Sequence, residues 1–405
     1  MEKEKMAAAA RKHGSLDDDG GEEKEAGAVL HGDVLELTLS HVPLVDLVPA
    51  ARVSRSWSLA VSSSLRHLRR PRPWLLVHYQ STRPPHAVSA RAYDPRSRVW
   101  MDLEAGPGGR LAPAPAKLLA SAPLRSSHSA LLYGVSPARL SFSPDPLHLT
   151  WRHASPPSAW RVDPAVALVG SRLVVAGGAC DFEDDPLSVE VYDTRTGTWS
   201  ACDPMPAPLK DSSASLWLSV AADGRRMYVM EKLTGATHAF DPEAGAWFGP
   251  YDLRPDRHVF YSVISFAGDR LVVAGLLGNS EDVKGVKLWG STAVGMDELE
   301  EICDMPEELV KELRDNNYCV SSIGMCSWGD FLYLYSNSKP ELVFWCERED
   351  ESGAWRWGAT RDAAARDRSL GKRVAYTCAE VGIGELREAA VTGSGRFVVT
   401  TAEGQ

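Results

Sequence analysis

The chain has 405 residues, 44% hydrophobic, 24% charged and 8% aromatic, with 54 acidic against 44 basic side chains and a formal charge of −10. That length supports a sizeable core and exceeds one small domain. No apolar run approaches the roughly 18 residues of a membrane span, and the N-terminus lacks the apolar stretch and cleavage site of a signal peptide. Net acidity argues against broad nucleic-acid binding, which needs a basic face. Neither a membrane nor a nucleic acid is expected as a partner, and a reducing cytosol or nucleus is the expected setting.

Residues 1–29 are rich in Ala, Gly, Asp, Glu and Lys. Asp17, Asp18, Asp19, Glu22 and Glu23 repel one another and bury nothing, so the segment is expected to be a disordered, solvated tail.

Residues 30–70 read as three short helices. Asp33 can cap the first, in which Leu35, Leu39 and Val42 follow the spacing of one helical face, and Pro43 stops it. Asp46 can cap the second, with Leu47, Ala50 and Ala51. Ser54 or Ser56 can start the third, with Trp57, Val61 and Leu65 on one side. Arg66, Arg69, Arg70 and Arg72 around Pro71 and Pro73 mark a boundary. Three short helices make a poor core alone, so this unit is expected to lean on a partner or on the next domain.

From residue 74 the period changes to short apolar runs bounded by Gly, Asp, Ser and Pro, as strands are. Examples are Leu173-Val174-Val175, Met227-Tyr228-Val229 and Leu271-Val272-Val273. Residues 297–314 are the exception and suit a helical insertion. At the chain end, residues 388–391 and 396–400 read as spare strands.

The region aligns with itself. Tyr93-Asp94 precedes Trp100, Tyr192-Asp193 precedes Trp199 and Phe240-Asp241 precedes Trp247, with the Trp always seven residues after the first aromatic. Weaker copies pair Phe142 with Trp151 and Trp345 with Trp355, and a copy at Trp289 has lost its second Trp near Met296. An aromatic strand, an Asp-led turn and a second aromatic strand make a β-hairpin. Each follows another apolar hairpin, which gives four-stranded sheets of about 50 residues that bury their faces by stacking around an axis. An aromatic-rich β-sandwich is the alternative.

Ala176-Gly177-Gly178, the aromatic-Asp pair and the Trp together resemble the kelch repeat, over residues 74–360 and most clearly 162–206. The resemblance implies a mainly β fold, a six-bladed kelch β-propeller over residues 74–405. A chain-end strand would close the ring beside the first blade; a partial seventh blade is the other option.

The helical segment is similar to an F-box: Asp33-Val34-Leu35, Leu39-Ser40, Val42-Pro43, Asp46-Leu47, then Val53-Ser54-Arg55-Ser56-Trp57. His31 and Thr38 depart from the pattern, where proline and isoleucine are usual. Small all-α F-box plus kelch repeats resembles plant substrate receptors of ubiquitin ligases. This implies helices docked on a Skp-type adaptor of a cullin–RING ligase and a propeller holding a target protein. By carry-over, Leu30, Val34, Leu35, Leu39, Val42, Pro43, Leu44, Leu47, Val53 and Trp57 are adaptor-face candidates; several also suit a helical core. The layout further resembles plant proteins that turn over phenylpropanoid or flavonoid enzymes such as chalcone synthase. A kelch scaffold without a ligase role and a propeller enzyme are the alternatives.

Catalytic constellations are lacking. The sequence has neither a phosphate loop nor a Gly-x-Ser-x-Gly elbow. The seven cysteines (180, 202, 303, 319, 326, 346, 378) contain no Cys-x-x-Cys, so buried free thiols are expected rather than disulfides or a zinc site. His148 and His153 have no third ligand nearby, and Glu183-Asp184-Asp185 reads as a solvated loop face. The expectation is no cofactor, no metal and a non-catalytic protein.

In a propeller the loops after second strands (178–187, 231–236, 277–285, 336–341) and between blades (203–214, 250–258, 304–318, 361–372) share one face. Polar loops with a few aromatics on a rigid scaffold suit protein recognition. Phe182, Glu183, Asp184, Lys210, Arg257 and His258 are the expected target contacts.

Overall fold

The computed structural model describes residues 32–66, 72–84, 86–103, 122–147, 151–178, 185–291, 296, 298–314, 320, 322–349, 352–391 and 397–399. The expected tail at 1–29 lies outside the described residues.

Three helices come first: α1 (Asp33–Ser40), α2 (Leu44–Ala50) and α3 (Arg55–Arg66). Asp33 is the first helical residue, behind Gly32, and Pro43 rather than Asp46 occupies the cap of α2, its fixed backbone leading straight into the helix. Ser54 caps α3, its Oγ accepting from the Trp57 N–H at 3.2 Å.

The described strands form six sheets. Blade one takes β1 (Trp74–Ser81), β2 (Val88–Asp94) and β3 (Val99–Leu103); blade two, β4 (Arg125–Ser126), β5 (Leu132–Ser136), β6 (Arg139–Ser143) and β7 (Arg152–Ala154). Blade three is β8 (Ala165–Val169), β9 (Arg172–Ala176), β10 (Val189–Asp193) and β11 (Thr198–Cys202); blade four, β12 (Leu218–Ala222), β13 (Met227–Glu231), β14 (Ala236–Asp241) and β15 (Ala246–Asp252). Blade five is β16 (Val259–Ala267), β17 (Arg270–Gly278), β18 (Val283–Ser291) and β19 (Leu299–Asp304). After α4 (Glu307–Arg314), blade six is β20 (Gly324–Trp328), β21 (Phe331–Tyr335), β22 (Leu342–Arg348) and β23 (Trp355–Arg361). The short α5 (Ala365–Ser369), β24 (Lys372–Ala379), α6 (Ile383–Val391) and β25 (Phe397–Val399) end the described chain.

The missing inner strand of blade one is β24, antiparallel to β1 over eight residues from Trp74↔Ala379 to Ser81↔Lys372. First and last parts of the propeller thus share one sheet, and the ring has no open edge at its seam. Three expectations are corrected. Residues 388–391 belong to helix α6; the Glu385 carboxylate accepts from the Gly382 N–H at 3.1 Å, half of a capping box. The segment 396–400 does supply a strand, β25, but on the outer edge of blade one against β3. The helical insertion at 297–314 is half strand: β19 completes blade five, and only α4 is helical.

The repeat has a physical basis. Tyr93↔Trp100, Tyr192↔Trp199 and Phe240↔Trp247 are directly opposed in their hairpins, with ring centroids 5.2, 5.2 and 5.0 Å apart. The Asp after each first aromatic accepts from the backbone N–H two residues on, at 2.7 to 2.9 Å. Its own carbonyl takes the N–H four residues on, where Arg98, Gly197 and Gly245 adopt left-handed backbone. Trp345 departs from the pattern: it opposes Gly358, and Trp355 opposes Arg348.

The helices do not form a separate globule. Leu35, Leu39, Leu44, Leu47, Val48, Ala60 and Val61 share one buried core with Trp74, Leu76, Ala92 and Met101 of blade one, Leu147, and Val381 and Leu386 near α6. The three helices thereby bury apolar area that they cannot bury alone.

Candidate functional site: two opposed surfaces

Strands alternate in direction across each blade, so loops after the second and fourth strands leave from one end and tight turns from the other. Counted from inner strand β24, the start of β1 and the β2–β3 turn lie at the turn end. The N-terminal helices enter there. Arg96 of the β2–β3 turn donates to the Ser40 carbonyl, Tyr333 Oη donates to the Pro73 carbonyl at 2.7 Å, and Arg72 pairs with Glu347 of blade six at 2.7 Å. The helices and the candidate target loops therefore occupy opposite ends of the propeller.

At the helical end the expected adaptor residues divide. Leu35, Leu39, Leu44 and Leu47 are buried in the shared core, so they hold the fold instead of presenting a surface. Val42, Pro43 and Trp57 are half-buried. Val34 and Val53 are exposed, at 58% and 64%. Leu30 and His31 lie outside the described residues. Two exposed apolar side chains escaped sequence reasoning: Leu37 at 65% and Leu59 at 72%. Val34 and Leu37 are three residues apart on one side of α1. Thr38 beside them is exposed, and its hydroxyl donates to the Val34 carbonyl at 2.8 Å.

At the loop end, Lys210, Arg257 and His258 are exposed; His258 sits 2.9 Å from Asp256, whose carboxyl is held below its ordinary range chiefly by hydrogen bonds from His258. Phe182, Glu183 and Asp184 lie outside the described residues, as does His148. His153 is hydrogen-bonded to Ser141 at 3.0 Å. Among the described residues no group of three His, Cys, Asp or Glu side chains is placed to hold a metal.

An apolar patch that sequence reasoning missed stands at this end. Trp160 and Val162 precede β8, Leu216 and Trp217 precede β12, and Leu233 follows β13. All five are exposed large hydrophobics, Leu216 at 65%. Their backbones are stitched together. Asp163 accepts from the Leu216 N–H at 3.3 Å and is held by Arg125 and by the Ser215 hydroxyl. Lys232 donates from its backbone N–H to the Trp217 carbonyl at 3.0 Å and from Nζ to the Leu216 carbonyl at 2.8 Å. Burial lowers the Lys232 ammonium to about 8, with Asp163 partly opposing the shift. Apolar residues immediately before an inner strand, as at Trp160, Val162, Leu216 and Trp217, were the available signal.

A closed ring of sheets with apolar side chains exposed at both ends defines a propeller-based interaction protein. The Kelch motif model matches residues 161–206. F-box/kelch-repeat protein At1g23390 of Arabidopsis thaliana is 40% identical over 385 residues, covering 91% of this chain and 93% of its own. The chain belongs to the F-box/kelch-repeat proteins. The solved structure of YjhT aligns with 51% of this chain and 67% of its own at 12% identity and a TM-score of 0.36, too distant to carry an argument.

Proposed function

We propose that this chain is the non-catalytic substrate-recognition subunit of an SCF-type ubiquitin ligase, acting in the cytosol or nucleus. Its helices bind a Skp-type adaptor and its loop face binds a target protein. The observation that carries this reading is the opposition of the two apolar surfaces: Val34, Leu37, Val53 and Leu59 at one end, Trp160, Val162, Leu216, Trp217 and Leu233 at the other. A rigid ring between two docking faces holds a target at a set distance from the ligase and raises the effective concentration of its lysines. Lys210, Arg257 and His258 rim the target face. A phenylpropanoid or flavonoid enzyme is the target class that the layout resemblance suggests.

The test is capture of a Skp-type adaptor by the full chain. Val34→Asp and Leu59→Asp should each weaken capture at least tenfold at unchanged melting temperature. Leu216→Asp should spare adaptor capture and lose target capture. A correctly folded wild-type chain that captures no adaptor overturns the reading.

A further inference from the structure

Cys303 and Cys346 are 43 residues apart in sequence and belong to different blades. Cys303 lies near the end of β19, the outer strand of blade five, opposite Leu288. Cys346 lies in β22 of blade six, opposite Trp357 of β23. Stacking of the two blades brings their Sγ atoms to 4.0 Å. Cys303 is half-buried, whereas Cys346 is completely buried. The Trp357 indole Nε1–H donates to Cys303 Sγ at 3.2 Å.

The two sulfurs differ chemically. Cys303 receives hydrogen bonds from both the Cys346 thiol and the Trp357 indole, and these hold its thiol below the usual range although burial acts the other way. Burial, foremost, pushes the Cys346 thiol far up. Of the two, the half-buried sulfur is thus the one that more readily loses its proton, beside a partner that keeps its own, the arrangement of a reactive and a resolving cysteine. The other neighbouring thiols, Cys326 and Cys378, are both buried among Tyr333, Tyr335 and Tyr376, with no comparable exposed member.

We infer that Cys303 and Cys346 form a redox modification site at the junction of blades five and six, with a peroxide as oxidant. The Cys303 thiolate attacks the peroxide oxygen, the O–O bond breaks, and the departing hydroxide takes a proton to leave water and a sulfenic acid. The Cys346 sulfur then attacks the sulfenic sulfur. The S–S bond forms, the S–O bond breaks, and the leaving hydroxide carries off the Cys346 proton as a second water. The two cysteines lose two electrons and the peroxide gains them. Closing the bond brings the two sulfurs from 4.0 Å to a disulfide length of about 2.05 Å. The product is a covalent staple between neighbouring blades.

The reduced full chain is treated with hydrogen peroxide, blocked with iodoacetamide, and digested without reductant by trypsin and chymotrypsin, which together separate Cys346 from Cys326. A linked Cys303–Cys346 peptide pair, two hydrogens lighter than its parts and released by dithiothreitol, is expected. Cys303→Ser should abolish it, Cys346→Ala should leave Cys303 as a dimedone-reactive sulfenic acid, and Trp357→Phe should slow the linkage several-fold. Recovery of Cys303 as the alkylated thiol after excess peroxide, or its passage to sulfinic acid with Cys346 unmodified, overturns the inference.

Discussion

The indole Nε1–H of Trp100 donates to the Thr360 hydroxyl at 3.1 Å, joining blade one to the outer strand of blade six. The same bond recurs in the other complete repeats. Trp199 donates to the Ser155 carbonyl at 3.2 Å and Trp247 to the Asp203 carbonyl at 3.1 Å, each just past the outer strand of the preceding blade. The recurring Trp therefore packs on the aromatic in its own hairpin and ties its blade to the one before. Trp100→Phe keeps the ring and loses the bond, so it should cost about 1 kcal/mol. Trp100→Ala also opens a cavity and should cost about 3–5 kcal/mol. Urea unfolding of the two variants measures both.

That double duty is why the fold was legible. Aromatic, Asp and Trp recur because three constraints act on one short hairpin: the cross-strand ring pair, the Asp-capped turn and the inter-blade bond. The closing strand β24 was not legible. Its sequence, from Lys372 to Ala379, has alternating burial only at one end, and its partner β1 lies some 290 residues upstream, so no local turn betrays the pairing. α6 read as strand because Ala389, Ala390 and Val391 suit either state, while the Glu385 cap that decides the matter is a single hydrogen bond. At the helical end, the F-box resemblance located the segment but could not separate core from surface. Leu35 and Leu37 look alike in sequence, yet one is 2% exposed and the other 65%, because α1 turns one side to α3 and the shared core and leaves the other uncovered.

Arg161 and Glu190 form a buried ion pair at 2.9 Å inside the best-preserved repeat. The Arg161 guanidinium also donates to the Gly177 and Ser188 carbonyls, at 2.7 and 2.8 Å, and so fixes both ends of the β9–β10 loop. Arg161→Ala strands a buried carboxylate and two carbonyls and should cost about 3–5 kcal/mol by denaturant unfolding. Arg161→Lys should recover little of that, since one ammonium cannot reproduce the fork. Burial alone would raise the Glu190 carboxyl, but hydrogen bonds from Ser158 and Arg161 outweigh it and hold it below its usual value. Its contribution is present above the ordinary carboxylate range and is lost as pH falls through the lowered folded value.

His78 gives the acid side of the stability profile a separate component. Its ring, carried on β1, is completely buried, 3.2 Å from the Thr377 hydroxyl of β24, and burial lowers it to about 3. The folded form therefore stays neutral where the unfolded chain takes up a proton, near pH 6.5 and below. Unfolding gains protons across that window, so stability declines as pH falls from about 6.5 toward 3. Between pH 7 and pH 5 the loss from this one side chain should be about 2 kcal/mol. Urea midpoints at the two pH values measure it, and His78→Gln should remove about 2 kcal/mol of the difference, leaving the like contribution of His128, whose imidazole burial lowers to about 4. An unchanged pH dependence in a folded His78→Gln chain would sink the assignment.

Gly178 and Gly329 both adopt left-handed backbone, with φ of +69° and +56°, but only one is crowded. A Cβ on Gly178 would stand 2.4 Å from the backbone nitrogen of Pro164, at the entrance to β8, and backbone cannot step aside as a flexible side chain does. Gly178 also donates to the Ser213 carbonyl at 3.1 Å and accepts from the Val162 N–H at 2.7 Å, so displacing it disturbs the segments that carry Val162 and Leu216. A Cβ on Gly329 would meet nothing within 4 Å. Gly329→Ala should therefore cost only the backbone conformation, about 1 kcal/mol, whereas Gly178→Ala should cost about 3 kcal/mol or more. Thermal melts of the pair decide this. The same Gly178→Ala chain, held well below its melting temperature, should also bind target more weakly than Gly329→Ala, because its strain falls beneath the loop-end patch and Gly329 sits in a turn at the opposite end of the propeller.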